Sequence, residues 1–155
     1  MQLKSFFLFL LTFFLVSTQV KAQLADAKVL GLAEAQRISD AAEKRARQDN
    51  WTVVIAIVDA GGHLISLRRI DGTQVGSVEV ALKKAQSAVY FKRPTKVFQD
   101  AVAQGSHHIL SLPNAIPIEG GIPIEHGGKV IGAIGVSGVT SAQDGIIAQA
   151  GLKAL

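Results

Sequence analysis

The sequence has 155 residues, a formal net charge of +4 at pH 7, 48% hydrophobic residues and no cysteine. This length is enough for one domain of ordinary size, and the lack of cysteine excludes disulfide bonds, thiolate metal sites and a cysteine nucleophile. The basic residues form no long stripe, which argues against a nucleic-acid-binding protein.

The first 22 residues are typical of a secretory signal peptide. Lys4 ends a short basic start, residues 5–16 are apolar, and Val20-Lys21-Ala22 offers a small-x-small cleavage site. The apolar run is too short for a retained membrane span, although an uncleaved N-terminal anchor is the alternative. We therefore expect a secreted or periplasmic protein, cleaved near Ala22, in which residues 23–155 form a single and only weakly basic domain.

The first elements after this segment are predicted to be a helix and a β-hairpin. Residues 33–48 carry apolar side chains at spacings of three and four, which is typical of an amphipathic helix. Residues 53–58 are Val, Ile and Ala on both alternating faces, which indicates a strand covered on two sides in the centre of a sheet. The turn at residues 59–62 contains paired glycines, and residues 64–70 resume as the second strand.

The remaining chain predicts further helices and strands. Ser77 is expected to cap a helix over residues 78–91, and a shorter helix follows over residues 95–104. Thr140 or Ser141 is expected to cap a final helix that extends to about Lys153, with Asp144 placed to complete a capping box from Ser141. Three short strands are expected between these helices, at residues 116–119, 121–125 and 129–136. The order indicates an α+β fold with a sheet of about five antiparallel strands and helices on its faces.

Histidine is the residue type that titrates near neutral pH, and the chain has four. His63 and His126 lie beside glycine turns and are expected to be solvated. His107 and His108 follow the third helix, and we hypothesise that one of them is an axial ligand to haem iron, since this needs a single imidazole per chain. The alternative is a polar end of a loop without a ligand role.

Two other features are candidate anion sites. The Gly120-Gly121 loop could present backbone N–H groups to an anion. A cationic neighbourhood surrounds the junction of the second and third helices and includes Lys92 and Arg93, either as a solvated face or as a pocket for carboxylates. Its members are Lys83, Lys84, Lys92, Arg93 and Lys96.

Four ordered segments resemble the GlcG/HbpS family of haem-binding proteins, a domain that also occurs at the C-terminus of some corrinoid adenosyltransferases. They are VVIAIVDAGGHLISLRRIDG (53–72), KKAQSAVYFKRPT (83–95), LPNAIPIEGGIPI (112–124) and GKVIGAIGVSGVTSAQD (128–144). The resemblance covers residues 30–154. It implies a profilin-like fold with a five-stranded antiparallel sheet, homo-oligomers, and the binding or degradation of haem. Secreted members act beside a membrane sensor kinase in the sensing of haem, iron and oxidative stress.

Some members of this family ligate haem through a histidine in the N-terminal helix, and residues 33–48 contain none. The iron ligand is therefore expected from His107, His108 or a residue other than histidine, with Lys92 and Arg93 near the propionates and Gly120-Gly121 beside them. A carrier, scavenger or sensor accessory for haem is the leading hypothesis. The alternatives are a binding module or enzyme for a small organic acid such as a 2-hydroxy carboxylate, which would use Arg68 or Arg69, and an oligomeric structural subunit.

Overall fold

A computed structural model describes residues 28–155. A four-stranded sheet forms its centre, with every neighbouring pair of strands antiparallel and the strands in the order β2-β1-β4-β3. The strands are β1 Val54–Asp59, β2 Leu64–Arg69, β3 Gly121–His126 and β4 Lys129–Ser137. The helices are α1 Leu32–Gln48, α2 Ser77–Phe91, α3 Thr95–Ala103 and α4 Ser141–Leu152, and a 3₁₀ turn covers His107–Ser111.

The sheet is covered on both faces, as the pattern of residues 53–58 predicted. Ile55 and Ile57 of β1 pack with apolar residues of α1 and α4 on one face. Val54, Ala56 and Val58 face α2 on the other. All five of these side chains are fully buried, so the burial of apolar surface on both faces of β1 holds the three layers together.

The approach of α2 to the sheet depends on small residues. Ala81, Ala85 and Ala88 form its buried stripe, and Gly135 of β4 lies directly beneath them. A Cβ atom at Gly135 would overlap the carbonyl oxygen of Ala81 and lie 2.6 Å from the backbone nitrogen of Ala85. The glycine is therefore a place where another backbone comes close, as expected for glycine inside a strand.

The predicted fifth strand is wrong, because residues 116–119 do not pair with the sheet. Pro117 has no N–H to donate, and side chains from helices bind the neighbouring N–H groups. The N–H of Ile116 donates to Ser87 Oγ at 3.0 Å, and that of Glu119 donates to Gln99 Oε1 at 2.8 Å. The segment is therefore tied to α2 and α3 rather than to a strand.

One predicted helix cap and one predicted capping box are also wrong. Ser77 is the first residue of α2, and it is buried with its hydroxyl 3.3 Å from Ser137 Oγ. Thr140, one of the two predicted caps, is the N-cap of α4, but its capping box is completed by Gln143, so the box predicted from Ser141 to Asp144 is wrong. The carboxylate of Asp144 is therefore available for a different interaction.

Candidate functional site

A cleft of about 470 Å³ opens where α4 faces the start of α3 and the start of β3. Its volume lies in the range of small-molecule sites, about 300–1,000 Å³. Pro94, Ile122, Ile146 and Ala150 give it an apolar floor. Basic side chains on its rim come from α1, from α3 and from the C-cap of α4, namely Arg45, Lys96 and Lys153.

The Gly120-Gly121 loop forms one wall of this cleft. Gly120 has a φ of +127°, a conformation that residues with a side chain rarely adopt. Its carbonyl oxygen accepts a hydrogen bond from Val136 N at 2.9 Å. The N–H of Gly121 donates to Thr95 Oγ1 at 3.0 Å. That N–H is therefore already bound by the protein.

A buried ion pair lies behind that wall. Lys84 of α2 and Asp144 of α4 are 1% and 2% exposed. Lys84 Nζ donates to Asp144 Oδ2 at 2.8 Å and to the carbonyl oxygen of Val136 at 2.9 Å. Burial raises the pKa of the Asp144 carboxyl above its ordinary value, and the hydrogen bond from Lys84 opposes this rise.

Glu119 contributes a carboxylate to the cleft. Its backbone is held by Gln99, and its Oε2 atom lies 3.9 Å from Lys96 Nζ. The carboxylate occupies the space in front of Gly145 of α4, where a Cβ atom would overlap Oε1 and lie 2.9 Å from Cγ. A glycine at position 145 therefore leaves room for this acidic side chain between the two walls.

Two of the rim cations are partly held by the protein itself. Arg45 donates to Asp49 and lies 5.0 Å over the ring of Trp51. Lys96 Nζ donates to Asp100 Oδ1 at 2.8 Å. These contacts orient the cations but leave them partly exposed, and a charged rim around an apolar floor is suited to a ligand with an apolar body and anionic substituents.

The structure brings together only part of the predicted site. Gly120 and Gly121 line the cleft. Lys92 and Arg93 are exposed at the end of α2, where Arg93 lies 5.8 Å over the ring of Phe98. Within residues 28–155, the lining of the cleft includes neither of them.

The histidines lie outside the cleft lining as well. His107 and His108 are exposed on the 3₁₀ turn that follows α3. His63 and His126 are exposed beside their turns, as predicted. In the part of the chain that the structure describes, no group of three or more His, Cys, Asp or Glu side chains is arranged to hold a metal ion.

Sequence reasoning missed the ion pair and much of the rim. The sequence places Lys84 in a cationic neighbourhood, either a solvated face or a pocket for carboxylates, but Lys84 lies three residues after Ala81 and four before Ala88, on the apolar stripe of α2. That spacing was the available signal. Arg45 and Lys153 gave no local signal, because their roles depend on where α1 and α4 lie in the fold.

Arg68 and Arg69, which the sequence offered as partners for a carboxylate ligand, form hydrogen bonds within the protein. Arg68 Nη1 donates to Asp40 at 2.5 Å and to Glu43 at 3.2 Å. Arg69 donates through two nitrogens to the carbonyl oxygen of Thr73.

Across residues 28–155, the helices are all too short or too polar to cross a bilayer.

Comparison with known proteins gives consistent results. The GlcG protein of Escherichia coli K12 is 36% identical over 109 residues, which cover 70% of this chain and 81% of GlcG. The crystal structure of the Klebsiella pneumoniae protein ORFY is similar with a TM-score of 0.81 and 34% identity, over 87% of this chain and 96% of that one. The crystal structure of a complex of PduOC with haem has a TM-score of 0.75 and 31% identity, over 83% and 96% of the two chains.

The model of one family, described as haem-degrading protein HbpS-like, matches residues 30–153. This match covers most of the chain and includes every helix and strand from α1 to α4. The GlcG relative and the two similar structures agree with it in both sequence and fold. The chain therefore belongs to the HbpS-like family of haem-degrading proteins.

Proposed function

We propose that this protein binds haem in the cleft between α4 and the Gly120-Gly121 loop. The observation that carries the proposal is the cleft itself, an apolar floor with a basic rim, in a chain 31% identical to a protein whose structure is a complex with haem. Haem has a planar apolar body and two anionic propionates. An apolar floor would cover the body, and basic side chains would pair with the propionates.

The residues assigned to these roles follow from their places in the cleft. Ile122 and Ile146 lie on the floor and would contact the porphyrin face, while Lys153 and Lys96 would bind the propionates. When bound, the haem would supply a redox-active iron. Lys92 and Arg93, the propionate partners predicted from sequence, lie outside this lining and are not included in the proposal for this cleft.

The source of the iron ligand has two candidates. Glu119 is the acidic side chain of the cleft, and a carboxylate is a hard ligand suited to ferric iron. His107 or His108 would bind through an imidazole, the commoner ligand of haem iron, and both are exposed on a short 3₁₀ turn. We keep both candidates, since a histidine on the surface can serve the cleft of a second copy of the chain.

A titration with hemin tests the proposal. The Soret band of the purified protein is expected to shift and to saturate at one haem per cleft. Lys96→Ala/Lys153→Ala is expected to weaken hemin binding about tenfold, the loss of about 1.4 kcal/mol of charge-assisted contacts. Lys44→Ala/Lys83→Ala removes the same charge from exposed positions outside the cleft and is the matched control.

The iron ligand is identified by two further variants. Loss of the wild-type Soret spectrum in Glu119→Ala, with His107→Ala/His108→Ala unchanged, would assign the carboxylate, and the reverse result would assign the histidines. A wild-type protein whose spectrum with hemin equals the sum of the separate spectra would refute the proposal as a whole.

We also propose that the protein acts outside the cytoplasm, as a carrier, a scavenger or an accessory to a membrane sensor, and that it forms homo-oligomers. The signal-peptide pattern of residues 1–22 supports export. That segment lies outside the residues that the structure describes. Mass spectrometry of the protein from its native culture would give the N-terminus, with Gln23 expected, and an intact Met1 would refute cleavage.

A small organic acid is the second candidate ligand, favoured by the basic rim and by the Glu119 carboxylate beside Lys96. Such a ligand would pair its carboxylate with the rim and would leave the floor partly uncovered. A thermal-shift screen of 2-hydroxy and 2-keto acids separates the two functions. Stabilisation by an acid without any response to hemin would favour the second candidate.

A further inference from the structure

Lys84 contacts both glycines of the cleft wall. A Cβ atom at Gly120 would lie 2.9 Å from Lys84 Nζ, and one at Gly121 would overlap the Lys84 carbonyl oxygen. The ammonium group is therefore packed against the back of the loop whose front lines the cleft. A single residue of α2 thus contacts both glycines from behind.

Asp144 connects the pair to the opposite wall. It lies in the first turn of α4, directly before Gly145, and the side chains of Ile146 and Gln149 on the same helix line the cleft. Its Oδ2 atom accepts from Lys84, and its Oδ1 atom accepts from the N–H of Val139 at 3.3 Å. The carboxylate is thus fixed from both sides at the base of α4.

We propose that the Lys84–Asp144 pair is the positioning element of the cleft and sets the separation of its two walls. Neither side chain lines the cleft, so both act through the residues that do, Gly120 and Gly121 on one side and Gly145 on the other. The expected effect of the pair on hemin binding rests on the proposed function. The expected effect on the separation of the two walls does not depend on a ligand.

The energetics of buried ion pairs support this assignment. Removal of two charges from water offsets much of their attraction, and well-packed apolar residues of similar volume often replace such a pair without loss of stability. If the fold needed this pair for stability alone, Met at position 84 and Leu at position 144 would therefore serve as well. Unlike two apolar side chains, the ion pair makes directional contacts. The hydrogen bonds from Lys84 Nζ to Asp144 and to the carbonyl oxygen of Val136 fix one arrangement of α2, β4 and α4.

The test compares single and double replacements. Lys84→Met and Asp144→Leu each leave one buried charge without its partner and are expected to lower the melting temperature, whereas Lys84→Met/Asp144→Leu recovers most of it. Two measurements then report on the cleft. These are the amide hydrogen exchange of Gly121, compared with that of Ile134 in the middle of β4, and the affinity for hemin.

In the double variant we expect the amide hydrogen of Gly121 to exchange about tenfold faster, while that of Ile134 exchanges at the wild-type rate. Hemin is expected to bind about tenfold more weakly. The exposed pair Glu34–Arg37 of α1, replaced as Glu34→Gln/Arg37→Gln, is the control and should change neither. A recovered melting temperature with Gly121 exchange within about twofold of wild type would overturn the inference.

The outcomes for hemin remain separable. When the wild type does not bind hemin, the proposed function fails, and the exchange of Gly121 alone decides the inference. When the wild type binds hemin and the double variant binds it equally well, the inference is overturned and the proposed function stands.

A second variant keeps the test decisive when the double variant does not fold. Gly120→Ala introduces a Cβ atom 2.9 Å from both Lys84 Nζ and Asp144 Cβ, and so disturbs the contact of the pair with the loop, in addition to straining the backbone at a φ of +127°. It is expected to speed the exchange of Gly121 and weaken hemin binding while Ile134 stays protected. Unchanged exchange at Gly121 in this variant would also overturn the inference.

Discussion

Gly135→Ala is expected to destabilise the fold by disturbing the contact between α2 and β4. The added Cβ atom would overlap the carbonyl oxygen of Ala81 and lie 2.6 Å from Ala85 N, and both atoms belong to the backbone of α2. No side-chain rotation relieves this overlap, so the helix itself must move. Overpacking of this kind costs about 3 kcal/mol at the upper end of its usual range. Alanine recovers about 0.7 kcal/mol of backbone entropy relative to glycine in a strand.

The net loss of about 2 kcal/mol corresponds to a fall of about 8 °C in melting temperature for a domain of this size. Circular dichroism during heating measures it, and urea unfolding gives the free energy independently. Gly76→Ala is the matched control, because Gly76 has helical backbone angles and, among residues 28–155, nothing lies within 4 Å of a Cβ atom built there. A melting temperature of Gly135→Ala within about 2 °C of wild type would refute the close approach of α2 to the sheet.

Three further predictions address the cap of α4, an acidic group on α1 and the cleft. Thr140→Ala removes the hydroxyl that accepts from the Gln143 N–H and should lower stability by about 1 kcal/mol; Thr140→Ser should restore it, and an unchanged stability of the alanine variant would argue against the capping box. A hydrogen bond from Arg47 lowers the pKa of Glu43 below its ordinary value, so Glu43 stabilises the fold above its unfolded pKa and loses this contribution as the pH falls through the folded one. The free energy of unfolding, measured with urea at neutral pH and at about pH 3.5, should therefore change less with pH in Glu43→Gln than in wild type. The expected reduction is under about 1 kcal/mol because the pair is accessible to solvent, and an equal change in both proteins would refute this role. Gly145→Ala places a Cβ atom against the Glu119 carboxylate and should weaken hemin binding. The melting temperature should not fall, since alanine favours the helix by about 1 kcal/mol. Gly145→Ala/Glu119→Ala separates the steric effect of the added Cβ atom from the loss of the carboxylate, and unaltered hemin binding in Gly145→Ala would place the ligand elsewhere.

Residues 53–58 show why most of the fold could be predicted from the sequence. An uninterrupted run of Val, Ile and Ala can be stable only where both faces are covered, and β1 is the central strand with helices on each side. The stripe of apolar residues in α1 and the glycine turns of the two hairpins are equally local signals. The α+β fold with an antiparallel sheet followed from them.

Residues 116–119 show where local signals were insufficient. Their apolar residues Ile116, Pro117 and Ile118 predicted a strand, but N–H groups of the segment bind Ser87 and Gln99. Nothing in the segment itself specifies these partners, which are 29 and 20 residues away. The predicted site was limited in the same way. The Gly120-Gly121 loop was found by its composition, whereas the cleft also requires α4, whose position relative to the loop is a property of the whole fold.

The burial of Lys84 follows from the small residues of α2 and β4. Alanines on the stripe of α2 and Gly135 beneath them bring the helix backbone into contact with the sheet. At that distance, the four methylene groups of Lys84 are long enough to carry its ammonium group past β4 to Asp144. A residue larger than alanine at position 135 would move the helix further away and would leave the carboxylate buried without its partner, which is strongly destabilising. The close packing of α2 and the pairing of Lys84 are thus one structural feature, and the walls of the cleft depend on both.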